Sequence, residues 1–345
     1  MYTQKTVIPL KLSPSYLLNN LSISSMDNSS IKYGTIHKNT LNLHQHAQPS
    51  IQIVYNPESF PHVLDFRTIQ PNPFILQAKW CIIGSSVCLV LCCYHIVLIY
   101  DESGSNLLSV HPTVYVADKH ESTYAKGIAV YENFLCIGWG NGEMIVYQIQ
   151  EKYIDGRAEI SFERFATLTG HSEPIASLCT DATGCLVSGD DTGMVCVWKL
   201  KGIEGMSDQT PNIVVKTSDS PCTGVAMCGD FIIASFGSGK IEIWGKTSLE
   251  LKFEINAHAR WINSIDVCHK KRWLIAVSED TCVSVWQLPR DNSGVMECLH
   301  YQAVQSCMLT GCQFLDEDGI DFALTAYDHN EILIYSLVDN EKDLQ

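Results

Sequence analysis

The feature that most constrains this chain is an internal repeat. The segments 168–200 and 255–288 each run from a His, through three apolar stretches separated by polar turns, to a Trp. His171 and Trp198 are 27 residues apart, and His258 and Trp286 are 28 residues apart. A repeated unit of short strands buries its apolar faces against its neighbours, so this pattern specifies a repeat architecture rather than two unrelated domains.

Weaker copies of the closing stretch extend the repeat along the chain. They end at Tyr100, Tyr147, Trp244 and Tyr335, and successive closing aromatics are 42 to 51 residues apart. A period in the forties with four short strands per unit is typical of a β-propeller blade. Six such units account for residues 75–338, and strand-like runs in 13–55 predict a degenerate first blade.

The ends of the chain complete this architecture. The last unit has only three strands, and the run Thr6–Leu12 within residues 1–12 supplies the missing outer strand, because an open propeller leaves an unpaired sheet edge. The sequence therefore predicts an all-β, seven-bladed propeller in one domain, 1–345, closed by its N-terminal strand. A Pro-rich loop is expected at 56–74 and a flexible tail at 339–345.

The two strong units resemble WD40 repeats, with Gly-His and Ala-His at their starts and Trp at their ends. The resemblance implies a hydrogen-bonded network of His, Ser or Thr, Asp and Trp in each unit. The matching residues are His171, Ser188 and Trp198 in the first unit and His258, Asp280 and Trp286 in the second. Thr192 stands where the first unit needs Asp, with Asp190 and Asp191 beside it, and Ala276 replaces the hydroxyl of the second. We therefore expect both networks to be incomplete and apolar packing to contribute more.

Charge and composition exclude several functions. Lys and Arg number 23 against 38 Asp and Glu, which gives a net charge of −15 and argues against binding nucleic acid or an anionic membrane surface. Neither a signal peptide nor an apolar run of roughly 18 residues is legible, so we expect no membrane insertion and a cytoplasmic location, with the nucleus as an alternative. The fifteen cysteines are expected to be free, mostly buried hydrophobes.

Motifs for catalysis are missing from the sequence. The run 236–240 resembles a phosphate loop, but it lies in the turn before a closing strand and no helix follows it. We therefore predict no enzyme activity, no cofactor and no metal. The alternatives are a ubiquitin-ligase substrate receptor and, less favoured, a propeller enzyme with an unrecognised channel site. The receptor reading is weakened because Lys199 and Gln287, rather than Asp, follow Trp198 and Trp286.

The resemblance implies a protein-interaction platform, and aromatic residues near the blade loops are candidates for its binding face. A set of large aromatics with Arg is the composition of an interaction hot spot. The candidates are Arg260, Trp261, Trp139, Phe236 and Tyr327. The competing interpretation is that the rings at 139, 236 and 327 fill the space between blades. The predicted partners are other proteins or peptides, and self-association stays open.

Overall fold

The computed structural model describes residues 1–24, 31–45, 51–54, 73–84, 86–112, 124–154, 157–200, 208–209, 213–216, 220–290, 294–304 and 306–338. Within these ranges the regular elements are β-strands. They are β1 Tyr2–Pro9, β2 Ser22–Ser24, β3 Lys32–His37, β4 Thr40–Gln45, β5 Ile51–Val54, β6 Ile75–Ile83, β7 Ser86–Cys93, β8 Ile96–Asp101, β9 Leu107–Pro112, β10 Ala125–Tyr131, β11 Phe134–Trp139, β12 Met144–Ile154, β13 Arg157–Leu168, β14 Ile175–Thr180, β15 Cys185–Asp190, β16 Met194–Lys199, β17 Asp208–Gln209, β18 Ile213–Lys216, β19 Cys222–Cys228, β20 Phe231–Phe236, β21 Lys240–Gly245, β22 Leu251–Asn256, β23 Ile262–Cys268, β24 Trp273–Ser278, β25 Cys282–Gln287, β26 Glu297–Ala303, β27 Leu309–Phe314, β28 Asp321–Ala326 and β29 Glu331–Leu337.

The strands form seven small sheets, which are the blades of a β-propeller. Blade 1 is β2–β5, blade 2 is β6–β9, and blade 3 is β10–β13 with the short β17 added in parallel. Blade 4 is β14–β16 with β18, blade 5 is β19–β22, and blade 6 is β23–β26. Blade 7 is β27–β29 with β1. The all-β, seven-bladed fold predicted from the repeat period is confirmed.

Strand β1 completes blade 7, as the sequence predicts. It pairs antiparallel with β29 from Tyr2 opposite Leu337 to Pro9 opposite Glu331, with a register shift between Gln4 and Thr6. The strand begins four residues earlier than the apolar run suggested. The reason is Tyr2, whose buried ring packs against Phe322 at 4.7 Å between centroids. Because Pro9 lies in the outer strand, its missing N–H costs no central ladder bond.

The described residues divide into two compact units, each with its own cores. Unit 1 comprises residues 1–37, 42–51 and 223–345, and unit 2 comprises residues 38–41 and 52–222. Within each unit, apolar faces of successive blades pack on each other, as where blade 6 meets blade 7 and blade 3 meets blade 4. Most cysteines are buried in these cores, and all are free. The single-domain organisation stays a prediction, and residues 56–72 and 339–345 lie outside the described residues.

A strap, residues 10–21, leads from the outer strand of blade 7 to the first strand of blade 1. Backbone hydrogen bonds fix the strap along its length to unit 1. The bonded atoms are Leu10 N with Asn330 O (2.8 Å), Pro14 O with Asp328 N (3.4 Å), Ser15 N with Ile36 O (2.8 Å), Asn19 N with Asn263 O (2.9 Å) and Asn20 N with Thr310 O (3.0 Å). The buried Asn20 amide adds bonds to Ser15 and Ile36, so the strap has a defined path.

Replacing Tyr2 with Ala tests the closing strand. The change removes a buried ring and its hydrogen bond to the Gly319 carbonyl, so we expect the free energy of unfolding to fall by about 3 kcal/mol. Denaturant unfolding measures the effect, and Gln4→Ala at an exposed position of the same strand is the matched control. Equal midpoints for the two variants would contradict the packing of β1.

Candidate functional site

Blade 4 contains a complete buried network around His171. The ring Nδ1 lies 2.7 Å from Asp190 Oδ2 and Nε2 lies 2.7 Å from Ser188 Oγ, which also accepts a hydrogen bond from Trp198 Nε1 at 2.8 Å. The expectation of an incomplete network is therefore wrong for this blade. Asp190, the last residue of β15, supplies the carboxylate two residues before the expected position.

Asp190 also closes the turn between β15 and β16. Its Oδ1 accepts hydrogen bonds from Thr192 N at 2.9 Å, Thr192 Oγ1 at 2.7 Å and Met194 N at 3.0 Å. Burial opposes the charge of the carboxylate, but the hydrogen bonds from His171 and Thr192 outweigh it and lower the pKa of Asp190. The Thr at position 192 thus supports the acid that it was expected to replace.

Blade 6 has the same network, but its hydroxyl comes from the third strand of the blade instead of the second. His258 Nδ1 lies 3.1 Å from Asp280 Oδ2, and Nε2 lies 2.9 Å from Ser284 Oγ, which accepts from Trp286 Nε1 at 3.0 Å. Ser284 lies directly opposite Ala276 in the register of β24 and β25. The predicted gap at Ala276 is therefore filled, and the second expectation of an incomplete network is also wrong. The hydrogen bonds that Asp280 accepts lower its pKa to about 2 despite partial burial.

Blade 5 carries a carboxyl group in the equivalent place. Glu242 lies two residues before Trp244 and opposite Ala234, as Ser284 lies two residues before Trp286 and opposite Ala276. The residue is buried, and desolvation, helped by the neighbouring Glu254, raises the pKa of Glu242 to about 7 although Lys240 opposes the shift. Glu254 is the residue paired with it on β22.

One backbone hydrogen bond recurs at the loop ends of the blades and defines a loop surface in each unit. The residue that follows the second strand donates its N–H to the carbonyl of the residue that precedes the first strand. In unit 1 the bonds are Glu279 N to Trp261 O (3.0 Å) and Tyr327 N to Met308 O (2.8 Å). In unit 2 they are Tyr94 N to Phe74 O (3.1 Å), Gly140 N to Tyr124 O (2.8 Å) and Asp191 N to Pro174 O (3.1 Å).

Three of the five predicted binding residues lie on this surface in unit 1. Arg260 is exposed, and its carbonyl accepts a hydrogen bond from Ser278 Oγ at 3.3 Å. Trp261 is half-buried, with its ring flat against Gly237, where an added Cβ would come within 2.7 Å of the indole. Tyr327 is 50% exposed.

The other two predicted binding residues are buried, which corrects the sequence expectation for them. Phe236 is 0% exposed and Trp139 is 4% exposed. Both are the last residue of a second strand, and both side chains point into the interior. Trp139 packs with residues such as Ile137 and Tyr147 in the core of unit 2.

Tyr16 is the surface residue that sequence reasoning missed. It lies in the strap, is 46% exposed, and contacts Tyr327 edge to face at 6.1 Å between ring centroids. Its hydroxyl donates a hydrogen bond to Glu279, and burial together with this bond raises the pKa of Tyr16 to about 12. We call Tyr16, Tyr327 and Glu279 the tyrosine patch. The strap carries no repeat motif that would have signalled it.

The described residues contain no group of three or more His, Cys, Asp or Glu side chains arranged to hold a metal ion. None of them forms a helix that is long and apolar enough to span a bilayer.

The blades and their His–hydroxyl–Trp networks define a WD-repeat β-propeller. A solved propeller chain from the "Crystal Structure of Mitotic Checkpoint Complex" shares this fold, with a TM-score of 0.72 at 15% identity, covering 98% of this chain and 92% of that one. The sequence model of the WDR54 family matches residues 1–338, and the chain belongs to that family.

Curated relatives agree with this assignment over nearly the whole length. The chain is 30% identical to human WD repeat-containing protein 54 over 356 residues, covering 98% of this chain and 100% of the relative. It is 29% identical to the mouse protein of the same name, and 28% identical to WD repeat domain 54 of rat, with the same coverage.

Moving the hydroxyl between strands tests the network of blade 6. Ser284→Ala leaves the His258 and Trp286 ring nitrogens without the hydroxyl that both contact, so we expect a loss of about 1–3 kcal/mol in unfolding free energy. Adding Ala276→Ser in that background restores a hydroxyl at the position that Ser188 uses in blade 4. Chemical unfolding of the single and double variants should show at least partial recovery, and a further loss in the double variant would refute the equivalence.

The pH dependence of stability tests the buried carboxyl of blade 5. Because the pKa of Glu242 is higher in the folded than in the unfolded chain, folding takes up a proton at this group, and its contribution to stability falls as pH rises from about 4.5 to about 7. Glu242→Gln should remove this contribution, so the difference in melting temperature between the variant and the parent should grow in favour of the variant from pH 4.5 to pH 8. Glu254→Gln, on the exposed strand, should lessen the slope only partly. A slope between these pH values that is the same in Glu242→Gln as in the parent would contradict the assignment. The parent slope alone also contains the opposite contribution of His111, because burial lowers the pKa of that residue to about 4.

Proposed function

We propose that this chain is a non-catalytic interaction scaffold that captures other proteins or peptides on the loop surface of unit 1. The observation that carries the proposal is the exposure of Tyr16, Arg260 and Tyr327 on loops anchored by the blade hydrogen bonds. Aromatic and arginine side chains dominate the energy of protein interfaces.

The rigidity of the blades supports this role. Closely packed sheets position loop residues without a moving part, and a preorganised surface loses less conformational entropy when it binds. The strap adds Tyr16 to the surface in a fixed position. Membership of a WD-repeat family agrees with a platform function in general, and the structurally similar propeller was solved in a multiprotein complex. We place this activity in the cytoplasm.

Changing Arg260 and Tyr327 together to Ala tests the surface. Both side chains are exposed, so we expect a melting temperature within a few degrees of the parent. If they are interface anchors, each costs about 2 kcal/mol or more of binding free energy, and at least one protein should disappear from quantitative co-purification.

The matched control is Arg290→Ala with Tyr301→Ala. Arg290 and Tyr301 are exposed residues of the same types in the same unit, and they lie after the third strand of blade 6 and on its outer strand rather than on the loops that define the surface. The control should keep every co-purifying protein. An unchanged set of proteins for the Arg260 and Tyr327 variant, or the same losses in the control, would contradict the proposed surface.

A further inference from the structure

The tyrosine patch joins two half-exposed aromatic rings to a carboxylate, and this combination suits a cation. We propose that the patch binds a Lys or Arg side chain from an extended basic segment of a partner protein. The inference rests on the proposed function and specifies the chemistry of its partner.

The two rings offer a surface for a cation. Tyr16 is 46% exposed and Tyr327 is 50% exposed, and their planes meet at 79°. About half of the surface of each side chain therefore stays accessible to solvent. An ammonium or guanidinium group over the face of such a ring is attracted by the negative charge of the π system, and Arg also stacks on it.

Glu279 supplies the counter-charge. Its carboxylate accepts a hydrogen bond from the Tyr16 hydroxyl, and the ion pairs among the described residues do not include it. An ionised carboxylate has about four acceptor sites, so it can bind a cation while it holds the tyrosine. The exposed Asp328 follows Tyr327 directly, and the net charge of −15 favours the approach of a basic segment.

The patch is fixed before a ligand arrives. The strap is held on both sides of Tyr16, through Pro14 and Ser15 before it and Asn19 and Asn20 after it. Glu279 is fixed by its backbone bond to Trp261. A fixed ring and a fixed carboxylate lose little conformational entropy on binding, which favours a small recognition element such as one side chain.

Arg260, a cation close to the patch, favours the opposite kind of partner, an acidic segment. It lies on the loop next to Glu279, because Ser278 Oγ donates to the Arg260 carbonyl, and an acidic partner segment would bind it instead. Arg260 is not one of the three residues of the patch, which offer a carboxylate and two rings to a ligand, so we favour the basic segment. A preference for acidic peptides is therefore an outcome that the test must detect.

The test uses fluorescently labelled pools of eight-residue peptides with a fixed central residue and uncharged residues elsewhere. The central residue is Arg, Lys, norleucine or Glu, and binding to the full chain is followed by polarisation. We expect the Arg and Lys pools to bind best. Their binding should weaken as salt rises from roughly 50 to 300 mM, because salt screens exposed charges.

Variants then place the binding at the patch. Tyr327→Ala and Glu279→Gln should each weaken Arg-pool binding about fivefold. Tyr16→Phe keeps the ring, removes only the bond to Glu279, and should weaken binding less. Tyr301→Ala and Glu297→Gln, exposed positions on β26, are the matched controls and should bind as the parent does. Each variant should keep its melting temperature within a few degrees.

Three results would overturn the inference: equal binding of all four pools, a preference for the Glu pool, or unchanged Arg-pool binding in Tyr327→Ala and Glu279→Gln. Co-purification with the same two variants separates a failure of the cation chemistry from a failure of the proposed scaffold function. If they lose co-purifying proteins without an Arg or Lys preference in the pools, only the cation chemistry fails. If they keep every protein and the pools show no preference, the proposed function fails at this surface as well.

Discussion

Pairing of the first strand with the last is the constraint on which unit 1 depends. The terminal amino group donates to the carbonyl of Val338, 337 residues away, and β1 runs beside β29 from there to Pro9. The strap begins at the residue after Pro9, so the register of this pair determines where the strap runs. Tyr16 reaches Glu279 and Tyr327 because the register places it there.

The networks of blades 4 and 6 show that the required feature is an atom in space rather than a residue at a fixed position. Both need an oxygen between a His ring and an indole. Ser188 supplies it from the second strand of blade 4, and Ser284 supplies it from the third strand of blade 6. Directly opposite positions of two antiparallel strands lie close together, so either can place its oxygen at the same point. Blade 5 tolerates a buried carboxyl, Glu242, at the same register position.

The sequence predicts the blades well because their pattern is local. Six closing aromatics, the strand-like runs in 13–55 and the need to pair the final edge are enough to define seven blades and a closing β1. The patch was not predictable in this way, because Tyr16, Glu279 and Tyr327 come from segments far apart in the chain. Phe236 and Trp139 failed as surface candidates for a related reason: each is the last residue of a second strand, and whether its side chain points outward or into the interior depends on the pleat of that strand. The acid of the blade 4 network was expected at position 192 but is Asp190, because the local backbone geometry, rather than the spacing from Trp198, determines which carboxylate reaches His171.

The placement of Tyr16 in the strap has a thermodynamic consequence. The ring belongs to the segment that continues from the closing strand, so any ligand that engages it binds the closed form better than a form in which β1 has detached. By linkage, such a ligand protects the N-terminal strand from fraying and from proteolysis to the extent of its own affinity. Reciprocally, a protein or modification that peels β1 from β29 would release that ligand without touching the surface where it sits.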